Sequence, residues 1–376
     1  MKRYQGHRIW LALGPVLLLL VGFQNCQQMA MQNVHSQGTV FDGLTQLMQV
    51  DPTEPAMNPL AQANSSQCVT ASGKCSLNAA LQAAQNSGAQ VIVQMPDGLY
   101  NVTSNLTIPG NVTAIVGSGA NGAVIDGTGG SGGLFTGTSG GGPLAMENLT
   151  LQNATSTAAT VGAAFTSPGE EITITNSSVV NHSGPVAIYV SGAGNFVMLD
   201  STVSQNSGTG IAIVDTTSFL IENSTFASNG GAGVSFVGDP QTYPYLLTMN
   251  GVTMSNNSAE NISVVSIANA NVAMVVSNSI LAETTAPNCS ATPGLNLIVQ
   301  YSVISDNSCG TLGAGNVIAS PLLLPLANNG GTTQTMLPAP GSPAIGLGQF
   351  TCLGNDQRNQ IRPAAPTSCD AGSVQQ

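Results

Sequence analysis

Few side chains in this chain could do acid–base chemistry, so their spacing is worth reading first. Asp215 and Asp239 each stand 15 or 16 residues after equivalent points of a repeated pattern. If neighbouring repeats stack, their carboxylates come within roughly 5–7 Å, from the coil spacing of parallel strands. Two carboxyl groups at that separation can cleave a glycosidic bond, one as acid and one as base or nucleophile. The plainer reading is a pair of solvated turn aspartates, in keeping with the Asp215-Thr216-Thr217 and Gly238-Asp239-Pro240 contexts. Elimination chemistry on a uronate lacks its parts: no Lys or Arg occurs from residue 75 through 357 to serve as base or substrate clamp. His182, the one histidine beyond residue 35, falls in a row that elsewhere holds Asn206, Asn229, Asn257 and Asn307. A ladder residue is therefore the expected role for it.

No cofactor or metal is expected. Gly117-Ser118-Gly119-Ala120-Asn121-Gly122 matches a dinucleotide fingerprint, but the following Ala123-Val124-Ile125-Asp126 reads as a strand where a helix is required. Gly129-Gly130-Ser131-Gly132-Gly133-Leu134 begins like a calcium-binding nonapeptide and puts Leu134 where the ligand Asp belongs. A net charge of −11, with three of six basic residues in the first eight positions, argues against nucleic acid as a partner.

The elements that must position these residues form a repeat. Anchors at Asn148, Asn176, Asp200, Asn223, Gly251, Asn278 and Tyr301 recur every 23 to 28 residues. Apolar residues stand four and two positions before each anchor and three positions after it, although such residues make up only 42% of the chain. Period-2 alternation inside a repeat of this length predicts short parallel strands stacked as a solenoid. A third strand per coil is predicted at Ile211 and Ile213, Val234 and Phe236, and Ile262 and Val264, with Gly210 and Gly233 supplying a permissive backbone at the corners before two of them. Ser76 to Ala84 reads as a helix with Ser76 as N-cap, covering the first coil. The Gly-rich segment 127–142 reads as a flexible turn or protruding loop.

Residues 1–26 have the anatomy of an export signal: a basic start, an apolar run from Ile9 to Val21, and a short exit ending in Cys26. Lipidation of Cys26 is expected, with the membrane then a partner through that lipid and the outer membrane or cell surface as destination. The remaining cysteines couple by proximity: Cys68 with Cys75, Cys289 with Cys309, and Cys352 with Cys369. Metal binding by these residues is the weaker reading, because no CxxC occurs.

Cys75-Ser76-Leu77-Asn78-Ala79-Ala80 resembles the CSLREA motif that opens many exported bacterial right-handed β-helix proteins. Leu326 through Thr335, Gly341-Ser342-Pro343-Ala344-Ile345, Asp356-Gln357-Arg358, Arg362-Pro363 and Cys369-Asp370-Ala371-Gly372 resemble the closing segment of choice-of-anchor Q proteins. The chain departs from these patterns at Asn78, Ala79, Gly346 and Asn359. The expected organisation is a signal peptide (1–26), a flexible tether (27–66), an all-β right-handed parallel β-helix of about ten coils (67–315) and a loop-rich cap (316–376) over its C-terminal end. The expected function is a non-enzymatic surface scaffold contacting a glycan or a protein; the runner-up is a polysaccharide-degrading enzyme.

Overall fold

The computed structural model describes residues 45–53, 56, 75–117, 122–167, 169, 171–192, 194–238, 245–266, 272–282, 284–292, 296–310, 313–349, 352–363 and 368–376. The chain divides into two units between Thr45 and Gln46, and the features below belong to the second, apart from Thr45 itself. Cys26 and Cys68 lie outside the described residues.

Short strands wind into three sheets, named here A, B and C, of ten, ten and eight strands. Each coil contributes one strand to each sheet, as in Asn195–Leu199 (A), Thr202–Ser204 (B) and Thr209–Val214 (C). Sheet C therefore limits the described residues to eight complete coils; they include six of the seven repeats read in the sequence, and the seventh, at Tyr301, has strands in sheets A and B only. The expected ten is an overcount, because the end coils lack a full set of strands.

Strand pairing follows the sequence pattern position by position. The row four before the anchors pairs in register as Leu144, Ile172, Phe196, Phe219, Leu247, Met274 and Leu297, every strand parallel. The row three after them pairs as Leu151, Val179, Val203, Phe226, Met254, Leu281 and Ile304. All of these side chains are buried. A one-residue slip would turn a whole row outward, so the alternation fixes the register.

The anchors themselves are the corners between sheets A and B. All seven have positive φ, from 44° at Asn223 to 63° at Gly251. Asn, Asp and Gly tolerate this left-handed conformation best, which explains the composition of the row. Gly210 and Gly233 work differently from the expectation. Neither has positive φ; a Cβ on Gly210 would stand 2.6 Å from the carbonyl oxygen of Gly233, and one on Gly233 2.8 Å from that of Asn261. They make room for the next coil's backbone.

The helix spans Leu77–Ser87, begins with the Ser76 side chain accepting from the Ala79 amide, and ends at Gly88 with φ 65°. Its apolar face packs on the strands of the first coils. Two segments are more ordered than the sequence suggested. Thr45–Gln49, within the expected tether, is the terminal strand of sheet A, with Met48 and Val50 buried. Ser131–Gly137, within the expected loop, is a strand of sheet C, because Leu134 and Phe135 face the core.

The largest correction concerns residues 316–376. Apart from Val317–Ile318, which extends sheet B, this segment does not sit over the end of the coils. It folds back along the outer face of sheet B. Outward-facing Thr202, Thr225 and Thr253 hydrogen-bond to it through Gln334, Gln357 and Ser373. Further along, Ile280, Ala282 and Val303 form a small apolar cluster with Ala344 and Ala371. A sheet face of small hydroxyls and short aliphatics needs such a cover, and an irregular chain rich in amides can satisfy its polar groups.

Candidate functional site

Two buried polar ladders hold the coils before any site is considered. Along the first, Asn206 Nδ2 donates to Asn229 Oδ1 (2.9 Å), Asn229 Nδ2 to Asn257 Oδ1 (2.9 Å) and Asn257 Nδ2 to Asn261 Oδ1 (2.8 Å). The ladder then passes to Asn288. Asn307, expected on this row, is exposed, and Asn261 and Asn288 continue the ladder instead. The second ladder escaped the sequence reading: Ser177, Ser201 and Ser224 follow their anchors, and each hydroxyl accepts from the equivalent main-chain amide one coil before.

His182 belongs to the first ladder. Its Nδ1 accepts from the Ala154 amide (3.1 Å) and its Nε2 lies 3.0 Å from the Leu151 carbonyl, which makes Nε2 the protonated nitrogen. These are the acceptor and donor positions an asparagine offers elsewhere in the row. Burial holds its pKa down at about 4, so the ring is neutral. We expect His182→Asn to stay within about 1 kcal/mol of wild type, whereas His182→Leu, which leaves two buried backbone groups unpaired, costs about 2–4 kcal/mol in chemical denaturation.

Asp215 is an exposed corner residue with φ 51°, and Asp239 lies outside the described residues. No group of three or more His, Cys, Asp or Glu able to hold a metal occurs among the described residues. Cys289–Cys309 and Cys352–Cys369 are disulfides, as proximity suggested, and Cys75 is also disulfide-bonded.

The feature with a binding shape lies where the C-terminal segment stops. On sheet B, strand Thr202–Ser204 is buried throughout, whereas the outward residues of Ser178–Val180 are half-exposed. This step leaves a groove of about 330 Å³. Its floor is Thr150, Ser178 and Thr202, in register on successive coils, with Val180 and Ser204 beside them. Corner residues Asn181 and Gln205 form one side, and Asn328, Thr332, Thr333 and Gln334 form the wall. The lining offers hydroxyls and amides and contains no ionisable group. One sequence signal could have located the floor: the residue two after each anchor is a hydroxyl in five successive coils, Thr150, Ser178, Thr202, Thr225 and Thr253.

Gln357 fixes that wall. Its Nε2 donates to the Ser201 carbonyl (3.1 Å), Thr202 Oγ1 (2.8 Å) and Thr333 Oγ1 (2.9 Å), and its Oε1 accepts from Thr225 Oγ1 (2.7 Å). Beside it lies an acidic seam that sequence spacing did not reveal. Asp200 occupies a corner, and Glu222 pairs in register with the preceding Leu199. Desolvation of half-buried Asp200, helped by the neighbouring Asp356 charge and opposed by the Asn223 hydrogen bond and the Arg362 charge, raises it to about 7; burial and the Asp200 charge raise Glu222 to about 7. Raised carboxyl pKa values can mark catalysis, but neither group is among the residues that line the groove.

A right-handed β-helix region model matches residues 103–280 and 186–320, together more than half of the sequence. The chain belongs to the right-handed β-helix family. Among solved structures, this β-helix protein is similar to the A-module of Azotobacter vinelandii mannuronan C-5 epimerase AlgE4, at 17% identity and a TM-score of 0.41, over 65% of this chain and 74% of that one. It is also similar to the AlgE6 A-module from the same organism (18%, TM-score 0.39, 65% and 88%) and to pectate lyase Pel9A (14%, TM-score 0.37, 88% and 96%). No curated protein matches the sequence.

Proposed function

We propose that this β-helix protein is an exported, non-enzymatic scaffold that binds a neutral glycan in the groove beside its C-terminal segment. The observation that carries the reading is the lining: rungs of hydroxyl and amide side chains one coil apart, with no charge among them. Such groups exchange hydrogen bonds with sugar hydroxyls and offer no acid, base or cation for cleavage. Degradation of the glycan, the runner-up, needs two carboxyl groups on the groove, and its lining supplies none. Disulfides fit an oxidising compartment outside the cytoplasm. No helix among the described residues is long and apolar enough to cross a membrane. Attachment through a lipid on Cys26 is part of the proposal and is supported by the signal anatomy of residues 1–26. Choice-of-anchor Q membership is supported by the docked closing motifs, in which Arg358 pairs with Asp356 and Arg362 binds the carbonyls of Asp370 and Gly372.

Equilibrium binding of the full chain to neutral polysaccharides tests the groove. The Thr150→Val/Ser178→Ala pair removes two floor hydroxyls without touching a residue that holds the C-terminal segment. About a tenfold loss of affinity is expected, from two hydrogen bonds of roughly 0.5–1.5 kcal/mol each. Unchanged affinity, or retention of polyuronates in preference to neutral chains, contradicts the proposal.

A further inference from the structure

We propose that the groove recognises the end of its glycan: one terminus of a straight, β-1,4-linked neutral chain seats against the C-terminal segment, and the chain runs out along sheet B toward the N-terminal coils. The inference rests on the binding reading of the groove and names what that site takes.

The floor of the groove is part of a longer row. Leu99, Val124, Thr150, Ser178 and Thr202 pair in register on five successive coils, and Thr225 and Thr253 continue the row. The row is shut at one end. Thr202 is 2% exposed, its hydroxyl donating to the Gln334 carbonyl (2.6 Å) and accepting from Gln357 Nε2 (2.8 Å). Beyond it, Thr225 donates to Gln357 Oε1 and Thr253 accepts from the Ser373 amide, so these rungs lie under the docked segment. The other end is open. Ser178, Thr150 and Val124 are half-exposed, and Leu99 is 53% exposed. A ligand on this floor can extend toward Leu99 and cannot pass Thr202. Such a site fits the end of a chain and excludes its middle.

The rungs suit a pyranose chain laid along the solenoid axis. Strands of sheet B are short, as in Leu149–Gln152 and Ser178–Val180, so the face has length only across the coils. Equivalent residues recur at about 4.8 Å, close to the advance of one sugar in an extended β-1,4-linked chain. The four open rungs from Leu99 to Ser178 therefore take about four sugars, and a glycan that curls leaves the row early. Ser178 and Thr150 offer hydroxyls to the sugars nearest the wall, while Val124 and Leu99 offer apolar surface to the C–H faces of those further out. The main-chain groups of the floor are spent on the parallel ladders, so a peptide strand finds no backbone partner there. Asp126, two residues on from Val124, is 7% exposed, and its carboxylate is held by the Thr128 amide, Gln152 and Asn153. It presents no free acid for cleavage, and its charge disfavours a uronate on that rung.

Sedimentation of the full chain with linear β-1,4-glucomannan counts the sites. Halving the mean length of the polymer should about double the protein bound at saturation per unit mass, because each chain offers one end of the recognised kind. Titration with β-1,4-linked manno-oligosaccharides should show affinity rising about tenfold or more between two and four residues and levelling beyond. Val124→Arg, which sets a long side chain across the open track, should bind the disaccharide as wild type does and lose that gain. Bound protein per unit mass that does not change with polymer length means side-on binding and overturns the inference. So does an equal loss of di- and tetrasaccharide binding in the variant, and the count on the wild type stands without the variant. Absence of binding to polymer and oligosaccharides alike sinks the groove reading and this inference with it, whereas length-independent capacity sinks this inference alone.

Discussion

Replacing Asn229 by leucine lowers the stability of the protein by about 3–5 kcal/mol, the largest effect expected of any single ladder substitution. Asn229 is fully buried at the centre of its row. Its Oδ1 accepts from Asn206, and its Nδ2 donates to the Val203 carbonyl and to Asn257 Oδ1. Leucine fits the volume and satisfies none of these partners, so the cost comes from unpaired buried groups and not from a cavity. Denaturant unfolding measures it. The control is Asn307→Leu, which changes the same residue type at the position that spacing alone assigns to the row. Asn307 is exposed, and its replacement should stay within about 0.5 kcal/mol. Equal effects at the two positions would mean that the ladder contributes no more than a surface asparagine.

The second large effect is local. Gln357→Leu should release the C-terminal segment from sheet B while leaving the coils folded. Gln357 is 2% exposed and meets Ser201, Thr202, Thr225 and Thr333 at once, contacts separated from it by 24 to 156 residues of chain. Losing them leaves several hydroxyls and a carbonyl short of partners under the segment, a cost of about 3–4 kcal/mol at that seam. Limited proteolysis between Thr332 and Asn359 should accelerate, and neutral-glycan binding should fall with the loss of the Thr332–Gln334 wall. A variant that unfolds as a whole, or one that resists protease as the wild type does, would contradict a separately docked segment.

These two substitutions mark what the sequence made legible and what it did not. A solenoid asks the same question of its chain at every coil, so the apolar rows repeat visibly and pair as read. His182 was legible for the same reason: it stands in an asparagine row because imidazole offers an acceptor and a donor in the same places. The anchors were visible as a row before their cause was. Positive φ explains the Asn, Asp and Gly, while Tyr301 adopts it with its ring packed so closely on Gly315 that a Cβ there would lie 2.4 Å from a ring carbon.

The seam was not legible. Gln357 and Thr202 are 155 residues apart, and nothing periodic links an irregular segment to the coils that it covers. Asp200 looked like one more corner residue, and Glu222 like one polar residue at a strand end. Stacking of the coils brings them together, with Glu222 in register with Leu199, and the folding back of residues 316–376 sets Asp356 and Arg362 near Asp200. The hydroxyl row from Thr150 to Thr253 is the exception, since its recurrence two positions after each anchor was readable in the sequence.

The central claim is that the groove holds a neutral glycan without cutting it. Incubating the full chain with neutral polysaccharide and following bound fraction and polymer length in the same sample tests both halves together. The account predicts saturable binding with no new reducing ends and no unsaturated products. Shortened or unsaturated chains, or no bound fraction at all, would contradict it.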